Sequence, residues 1–290
     1  MKSEISVVNP IRAQLGEGPL WYDDALYWVD ILEKKIYRHF TQGNMVDEMQ
    51  LDYYVGAVAP RKKGGFILAM KNGFSFLSEF NGVVTPIANP EADKLNNRFN
   101  DGKCDPAGRF WAGTMALDES KDQGALYTLD VDCQIRKKYS PATISNGICW
   151  SLDNKLMYYI DTPTHQVMIF DFDVTTGEIK NPQTLVKINP ADGNPDGMTI
   201  DSNGCLWIAL WGGGTVVCYD TKKDKFLHKV KLPVSQVSSC AFGGPNLDEL
   251  YITSANAGLN EEILRKEPLA GALFKVNVGV QGLPVNIFNG

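Results

Sequence analysis

Short apolar runs recur along the chain, each led by a β-prone segment and a turn. They are Leu26-Tyr27-Trp28-Val29-Asp30, Gly65-Phe66-Ile67-Leu68-Ala69, Phe110-Trp111-Ala112-Gly113, Leu156-Met157-Tyr158-Tyr159-Ile160-Asp161, Leu206-Trp207-Ile208-Ala209 and Leu250-Tyr251-Ile252-Thr253. The connectors are turn chemistry, as in Asp105-Pro106-Ala107-Gly108, Asp201-Ser202-Asn203-Gly204 and Gly243-Gly244-Pro245-Asn246. Further β-prone runs follow each pair, for example Ala125-Leu126-Tyr127-Thr128-Leu129 and Thr215-Val216-Val217-Cys218-Tyr219. Four such runs in a period of roughly 40–50 residues describe a propeller blade. Six periods fill the 290 residues and leave no room for a linker. The expected fold is therefore all-β: a single six-bladed β-propeller domain over 1–290, with four antiparallel strands per blade. A pair of β-sandwiches is the runner-up.

Two details refine the ring. Glu4-Ile5-Ser6-Val7-Val8 is placed to close it as a strand beside the last blade. Helical character is confined to Asn260–Lys266, where Asn260 caps Glu261-Glu262-Ile263-Leu264-Arg265 and Pro268 bars continuation.

Charge narrows the partners. Lys and Arg number 28 against 34 acids, a net charge of −6, and no basic block stands out. Nucleic acid and anionic membrane surfaces are not expected to bind. No run is long and apolar enough to span a bilayer, and Met1-Lys2-Ser3-Glu4 is followed by no apolar leader. Cysteines 104, 133, 149, 205, 218 and 240 lack metal or disulfide-scaffold spacing and mostly sit in apolar runs, so buried reduced thiols in a cytoplasmic protein are expected.

Most catalytic motifs fail. Asp192-Gly193-Asn194-Pro195-Asp196-Gly197 opens like an EF-hand loop, but its twelfth position is Asn203 and a strand follows. Neither a nucleophile elbow nor a nucleotide-binding glycine loop is present, and the three histidines, 39, 165 and 228, are far apart. What remains is the head of each repeat. Glu17, Asn146 and Asp196 stand there immediately before a glycine; Asp101, preceded by Asn100, falls there in the third repeat, and Val55 and Ser239 in the second and sixth. Such pairs also make ordinary turns. Equivalent positions of a ring, however, face a common centre. Acids gathered on that axis repel and lose hydration unless a cation sits among them. Oxygen donors suit Ca²⁺, Mg²⁺ or Mn²⁺, with Zn²⁺ or Fe²⁺ open if water completes the shell. Three protein ligands would leave positions for water and substrate.

The ordered set Leu15-Gly16-Glu17-Gly18-Pro19-Leu20-Trp21, Asn96-Asn97-Arg98-Phe99-Asn100-Asp101-Gly102-Lys103, Gly113-Thr114-Met115, Ser145-Asn146-Gly147, Pro195-Asp196-Gly197 and Phe242-Gly243-Gly244-Pro245-Asn246-Leu247 resembles the SMP-30/gluconolactonase/regucalcin family over essentially the whole chain. That resemblance implies a six-bladed propeller and a metal-dependent sugar lactonase. It implies Glu17, Asn146 and Asp196 as ligands of one divalent ion, Ca²⁺ being the one expected in a crystal. Asp196 would also be the base that activates water. Arg98, Asn100 and Asp118 would bind the substrate, a small aldonolactone such as glucono-, xylono- or arabinonolactone. Asp118 stands where animal members carry a Glu, and Glu119 is the alternative. Which of Asn100 and Asp101 faces the pore is left open, as is the oligomeric state. Trp207 to Gly214 and Pro268 to Phe274 look more like the bacterial lactonase branch than animal regucalcins. Two other classes fit the architecture: a non-catalytic calcium-binding or scaffold propeller, and a phosphotriesterase-like hydrolase, which would need an apolar funnel.

Overall fold

In the computed structural model, which describes residues 4–43 and 45–290, each repeat folds into a four-stranded antiparallel sheet. After a short β1 (Ser6–Val7), the first blade is β2 (Gly16–Tyr22), β3 (Ala25–Asp30), β4 (Lys35–Phe40) and β5 (Met45–Gln50). The second is β6 (Val55–Pro60), β7 (Phe66–Met70), β8 (Gly73–Leu77) and β9 (Val84–Ala88). The third is β10 (Asn97–Cys104), β11 (Phe110–Ala116), β12 (Gly124–Leu129) and β13 (Ile135–Ala142). The fourth is β14 (Ser145–Trp150), β15 (Leu156–Asp161), β16 (Gln166–Asp173) and β17 (Glu178–Lys187). The fifth is β18 (Asn194–Ile200), β19 (Cys205–Trp211), β20 (Thr215–Asp220) and β21 (Lys225–Lys231). The sixth is β22 (Val237–Gly243), β23 (Glu249–Ser254) and β24 (Phe274–Asn277), with β1 as its outer strand. Ser6 pairs with Lys275 and Val7 with Phe274, the ring closure expected of the Glu4–Val8 segment. The expected helix is present as α1 (Glu261–Lys266), with Asn260 Oδ1 accepting from Ile263 N at 2.9 Å.

The runs read as continuous rather than alternating because each blade is covered on both faces. Every residue of β3 and β12 is buried. Successive side chains serve opposite neighbours: Trp207 and Ala209 of β19 pack toward the sixth blade, Leu206 and Ile208 toward the fourth. Six apolar clusters among the described residues fill the six junctions between neighbouring blades. Five of the cysteines are buried and none is paired.

Two of these junctions carry a polar clamp. Asp105 Oδ1 accepts from the amides of Ala107 and Arg109 at 2.9 and 3.0 Å, and its Oδ2 accepts from Arg109 Nε at 2.6 Å and Trp111 Nε1 at 2.9 Å. Asp201 does the same for Asn203 N, Cys205 N and Trp207 Nε1, each at 2.9 Å. One carboxylate thus shapes the turn and satisfies the only polar atom of a fully buried indole. Asp105→Ala strands the Trp111 N–H and removes the counter-charge of the buried Arg109, whose Nη1 and Nη2 keep only the carbonyls of Thr175 and Val174. It is expected to cost about 3–5 kcal/mol in urea unfolding, with the Asp201→Ala loss smaller because no buried cation is orphaned there.

The six innermost strands line a central tunnel. Beyond the repeat heads it widens into a cavity of about 510 Å³, bordered by Lys103, Trp150, Phe242 and the segment Leu283–Asn286. That segment belongs to a strap across the base. Ser202 N donates to Gln281 O at 2.8 Å near the fifth blade, Phe288 N to Pro60 O at 2.8 Å on the second, and Asn289 N to Gly108 O at 3.0 Å on the third. Phe288 is completely buried between the second and third blades.

Candidate active site

All six innermost strands break register at their heads. In β14, Ser145 faces Asp161 and Ile148 faces Tyr159, so Asn146 and Gly147 together oppose one residue. The same two-against-one bulge places Asp196 and Gly197 in β18, and Gly18 and Pro19 directly after Glu17 in β2. The Asx-Gly pairs are therefore β-bulges inside strands, and Glu17 is the paired residue just before one, opposite Val29; none is a turn between strands, and a bulge re-aims side chains out of the pleat. Glycine is demanded at the second position by crowding at the axis. A Cβ on Gly147 would sit 2.6 Å from Asp196 O, and one on Gly197 would sit 2.1 Å from Ser239 Oγ.

In β10 the bulge holds Asn100 and Asp101, between Phe99 opposite Thr114 and Gly102 opposite Ala112. Register thus makes Asn100, not Asp101, the counterpart of Asn146 and Asp196. Asp101 takes the glycine place, accepts from Gly102 N at 2.7 Å, and borders the lower cavity.

A hydrogen-bonded string runs round the tunnel wall from the third blade to the fifth. Arg98 Nη1 donates to Asn100 Oδ1 at 2.7 Å and to Phe99 O at 3.0 Å; Asn100 Nδ2 donates to Ser145 O at 2.8 Å. Next in the chain, Asn146 Nδ2 donates to Thr162 Oγ1 at 2.9 Å, and that hydroxyl donates to Pro195 O at 2.9 Å. Asp196 follows Pro195. Glu17 comes from the first blade, with Oε2 accepting from Gly18 N at 3.0 Å. Arg98, Asn100, Asn146, Asp196 and Glu17 are all buried.

The electrostatics tie them together. Burial, then the nearby Asp101, pushes the Glu17 carboxyl up to about 8. Burial, then Glu17 and Asp101, pushes Asp196 well above the usual carboxylate range. Burial lowers Arg98 to about 10, against the opposing fields of Glu17, Glu119, Tyr54 and Asp196. Within this cluster Asn146 Oδ1 and Asp196 Oδ1 are buried and receive no hydrogen bond. Two orphaned oxygens near a carboxyl whose charge burial penalises form a setting that a cation would relieve, and the all-oxygen donor set of Glu17, Asn146 and Asp196 fits a hard divalent ion. Elsewhere, ligand atoms of Asp201, Cys205 and Cys218 lie within 4.8 Å of one another. There the carboxylate is already consumed by three N–H donors, so those residues do not offer a comparable site.

Asp118 stands apart from the string. It is exposed, and its Oδ1 accepts from Ser120 Oγ at 2.7 Å and Ser120 N at 3.2 Å, which holds its carboxyl below the usual value. Glu119 is the acid of this loop whose field reaches Arg98. Sequence reasoning missed Thr162, for which no motif exists. It also missed the pair of Asp-x-x-Gly-x-x-Trp clamps, whose repetition was there to be read.

Residues 15–256 match the family model described as SMP-30/Gluconolactonase/LRE-like region. Regucalcin of Gallus gallus is 41% identical over 295 residues, covering 99% of this chain and 99% of its own. Among solved structures, a luciferin-regenerating enzyme superposes with a TM-score of 0.94 at 33% identity, over 99% of this chain and 100% of that one. The calcium-binding protein regucalcin from Agrobacterium tumefaciens gives 0.94 at 27% identity, over 98% and 97%. These relatives span vertebrate and bacterial proteins, so they do not single out the bacterial lactonase branch suggested by residues 207–214 and 268–274.

Proposed function

We propose that this chain, which belongs to the SMP-30/gluconolactonase/LRE-like family, is a divalent-metal-dependent hydrolase that opens a sugar lactone to its aldonate. The observation that carries the reading is the pair of donor-less buried oxygens on Asn146 and Asp196, the latter in the field of Glu17. These three residues would hold the ion. When bound, it supplies an electrophile for the ester carbonyl. The remaining chemistry belongs to the side chains. Asp196 Oδ1 is the atom that would face the ion; the other oxygen of the same carboxylate would take a proton from the attacking water and return it to the departing ring oxygen. The water oxygen–carbonyl carbon bond forms, the ring carbon–oxygen bond breaks, and the product ionises to a carboxylate. Arg98 remains a cation at neutral pH and, among the described residues, uses only its Nη1 within the protein, which leaves donors for sugar hydroxyls. Asn100 fixes the angle of that guanidinium.

Acid release from gluconolactone, xylonolactone, arabinonolactone and an aryl phosphotriester tests the reading, with chelated protein and with Ca²⁺, Mn²⁺, Mg²⁺ or Zn²⁺ restored. Turnover of one or more lactones only with metal is expected. Equal rates without metal, or preference for the phosphotriester, would overturn it; metal binding with no turnover would leave a calcium-binding propeller. Arg98→Met is expected to raise KM for the preferred lactone by about tenfold or more while kcat falls less.

A further inference from the structure

We propose that Thr162 is the positioning residue that decides whether Asn146 presents an oxygen or an amide to the centre. The inference rests on the metal-site reading above and extends it to a residue outside the ligand set. Thr162 begins the 3-10 turn Thr162–Thr164 that follows β15. The turn is fixed from several sides. Thr162 N donates to Ile144 O at 3.1 Å, Thr164 Oγ1 donates to Asp161 O at 2.6 Å, and the Asp161 carboxylate accepts from Thr143 N and Ile144 N.

A hydroxyl owns one proton. That of Thr162 is given to Pro195 O at 2.9 Å, so toward Asn146 the oxygen can only accept. The amide of Asn146 must therefore turn Nδ2 toward Thr162, at 2.9 Å, and Oδ1 into the tunnel. The Oδ1 atom is left buried with no donor, an orientation that costs free energy without a cation. The competing arrangement is easy to name. With the amide turned over, Nδ2 would take the place of Oδ1, and the site would offer one acceptor fewer and one donor more. Thr162 holds the amide out of that arrangement. Through Pro195 it also anchors the backbone immediately before Asp196, so one hydroxyl aligns donors from two blades. Outer residues that fix ligand orientation typically change metal affinity by 10–100-fold.

The test is calcium titration of the full chain by calorimetry after chelator treatment. Thr162→Val keeps the shape and loses the hydroxyl; Thr162→Ser keeps the hydroxyl. Thr162→Val is expected to weaken Ca²⁺ binding by about 10–100-fold, and Thr162→Ser to stay within about threefold of the native protein. If Thr162→Val does not fold, Thr162→Ala carries the same expectation. Native Ca²⁺ affinity retained in the Val or Ala variant overturns the inference and leaves the metal site standing. Loss of binding in Thr162→Ser equal to that in Thr162→Val also overturns it, because it would assign the effect to packing. If the native protein binds no Ca²⁺, or binds it equally in Glu17→Gln, the metal-site reading itself fails.

Discussion

Asp196→Ala is expected to open aldonolactones at least about 1,000-fold more slowly than the native protein, even at saturating Ca²⁺. The loss is large because one side chain serves twice: it supplies a ligand oxygen and the proton acceptor. The variant should still fold. Its carboxyl is pushed up first by burial and then by Glu17 and Asp101, so its removal relieves repulsion in the metal-free protein instead of breaking a stabilising pair. The melting temperature of metal-free Asp196→Ala at pH 8 should therefore equal or exceed that of the metal-free native chain. Residual lactone opening above about one tenth of the native rate would remove Asp196 from the chemistry. Asp196→Asn separates its two duties, since the amide oxygen can still approach a cation but cannot take a proton. Ca²⁺ binding retained in part, with turnover lost, is the expected pattern.

The ring was legible in the sequence because repetition and two-sided burial leave a strong mark. Six apolar runs at even spacing, turn residues between them and a spare strand at Ser6–Val7 are all local features. The site was legible only to the level of the repeat head. Asn100-Asp101-Gly102 offers two polar residues before a glycine, and the choice between them depends on which residue faces Thr114 and which faces Ala112 across β11. That is a cross-strand fact, and no single strand encodes it. Asp118 shows the opposite limit. Its neighbour Ser120 places two donors on Oδ1, a local Asx-type contact that the sequence reading did not weigh, and the acid of this loop whose field reaches Arg98 is Glu119. Thr162 was hidden for a third reason. Its role arises from contacts to Asn146 and Pro195 in two different blades, and nothing about a Thr-Pro-Thr turn announces it.

The metal-free protein is expected to lose stability as pH rises from about 5 to about 8, and Ca²⁺ is expected to reverse that slope. A carboxyl whose folded pKa lies above its unfolded value keeps its proton longer in the native state. Its favourable contribution is complete below the unfolded value of 4.5 and is lost as pH climbs through the folded value, about 8 for Glu17. A shift of that size corresponds to something on the order of 5 kcal/mol for Glu17 alone. Asp196 and Asp101 are raised too and act in the same direction. Arg98, lowered by burial to about 10, stays charged across this window and adds no slope within it. A divalent ion takes the place of the proton, so its binding should strengthen by up to about tenfold per pH unit for each proton displaced, and level off above about pH 8. Calorimetric melting between pH 5 and 8, with chelator and with millimolar Ca²⁺, reads both effects together. A chelated protein whose melting point is flat or rising over that range, or a Ca²⁺ affinity indifferent to pH, would mean that Glu17 enters the folded state already ionised, and the electrostatic case for a cation at the head of the tunnel would fall with it.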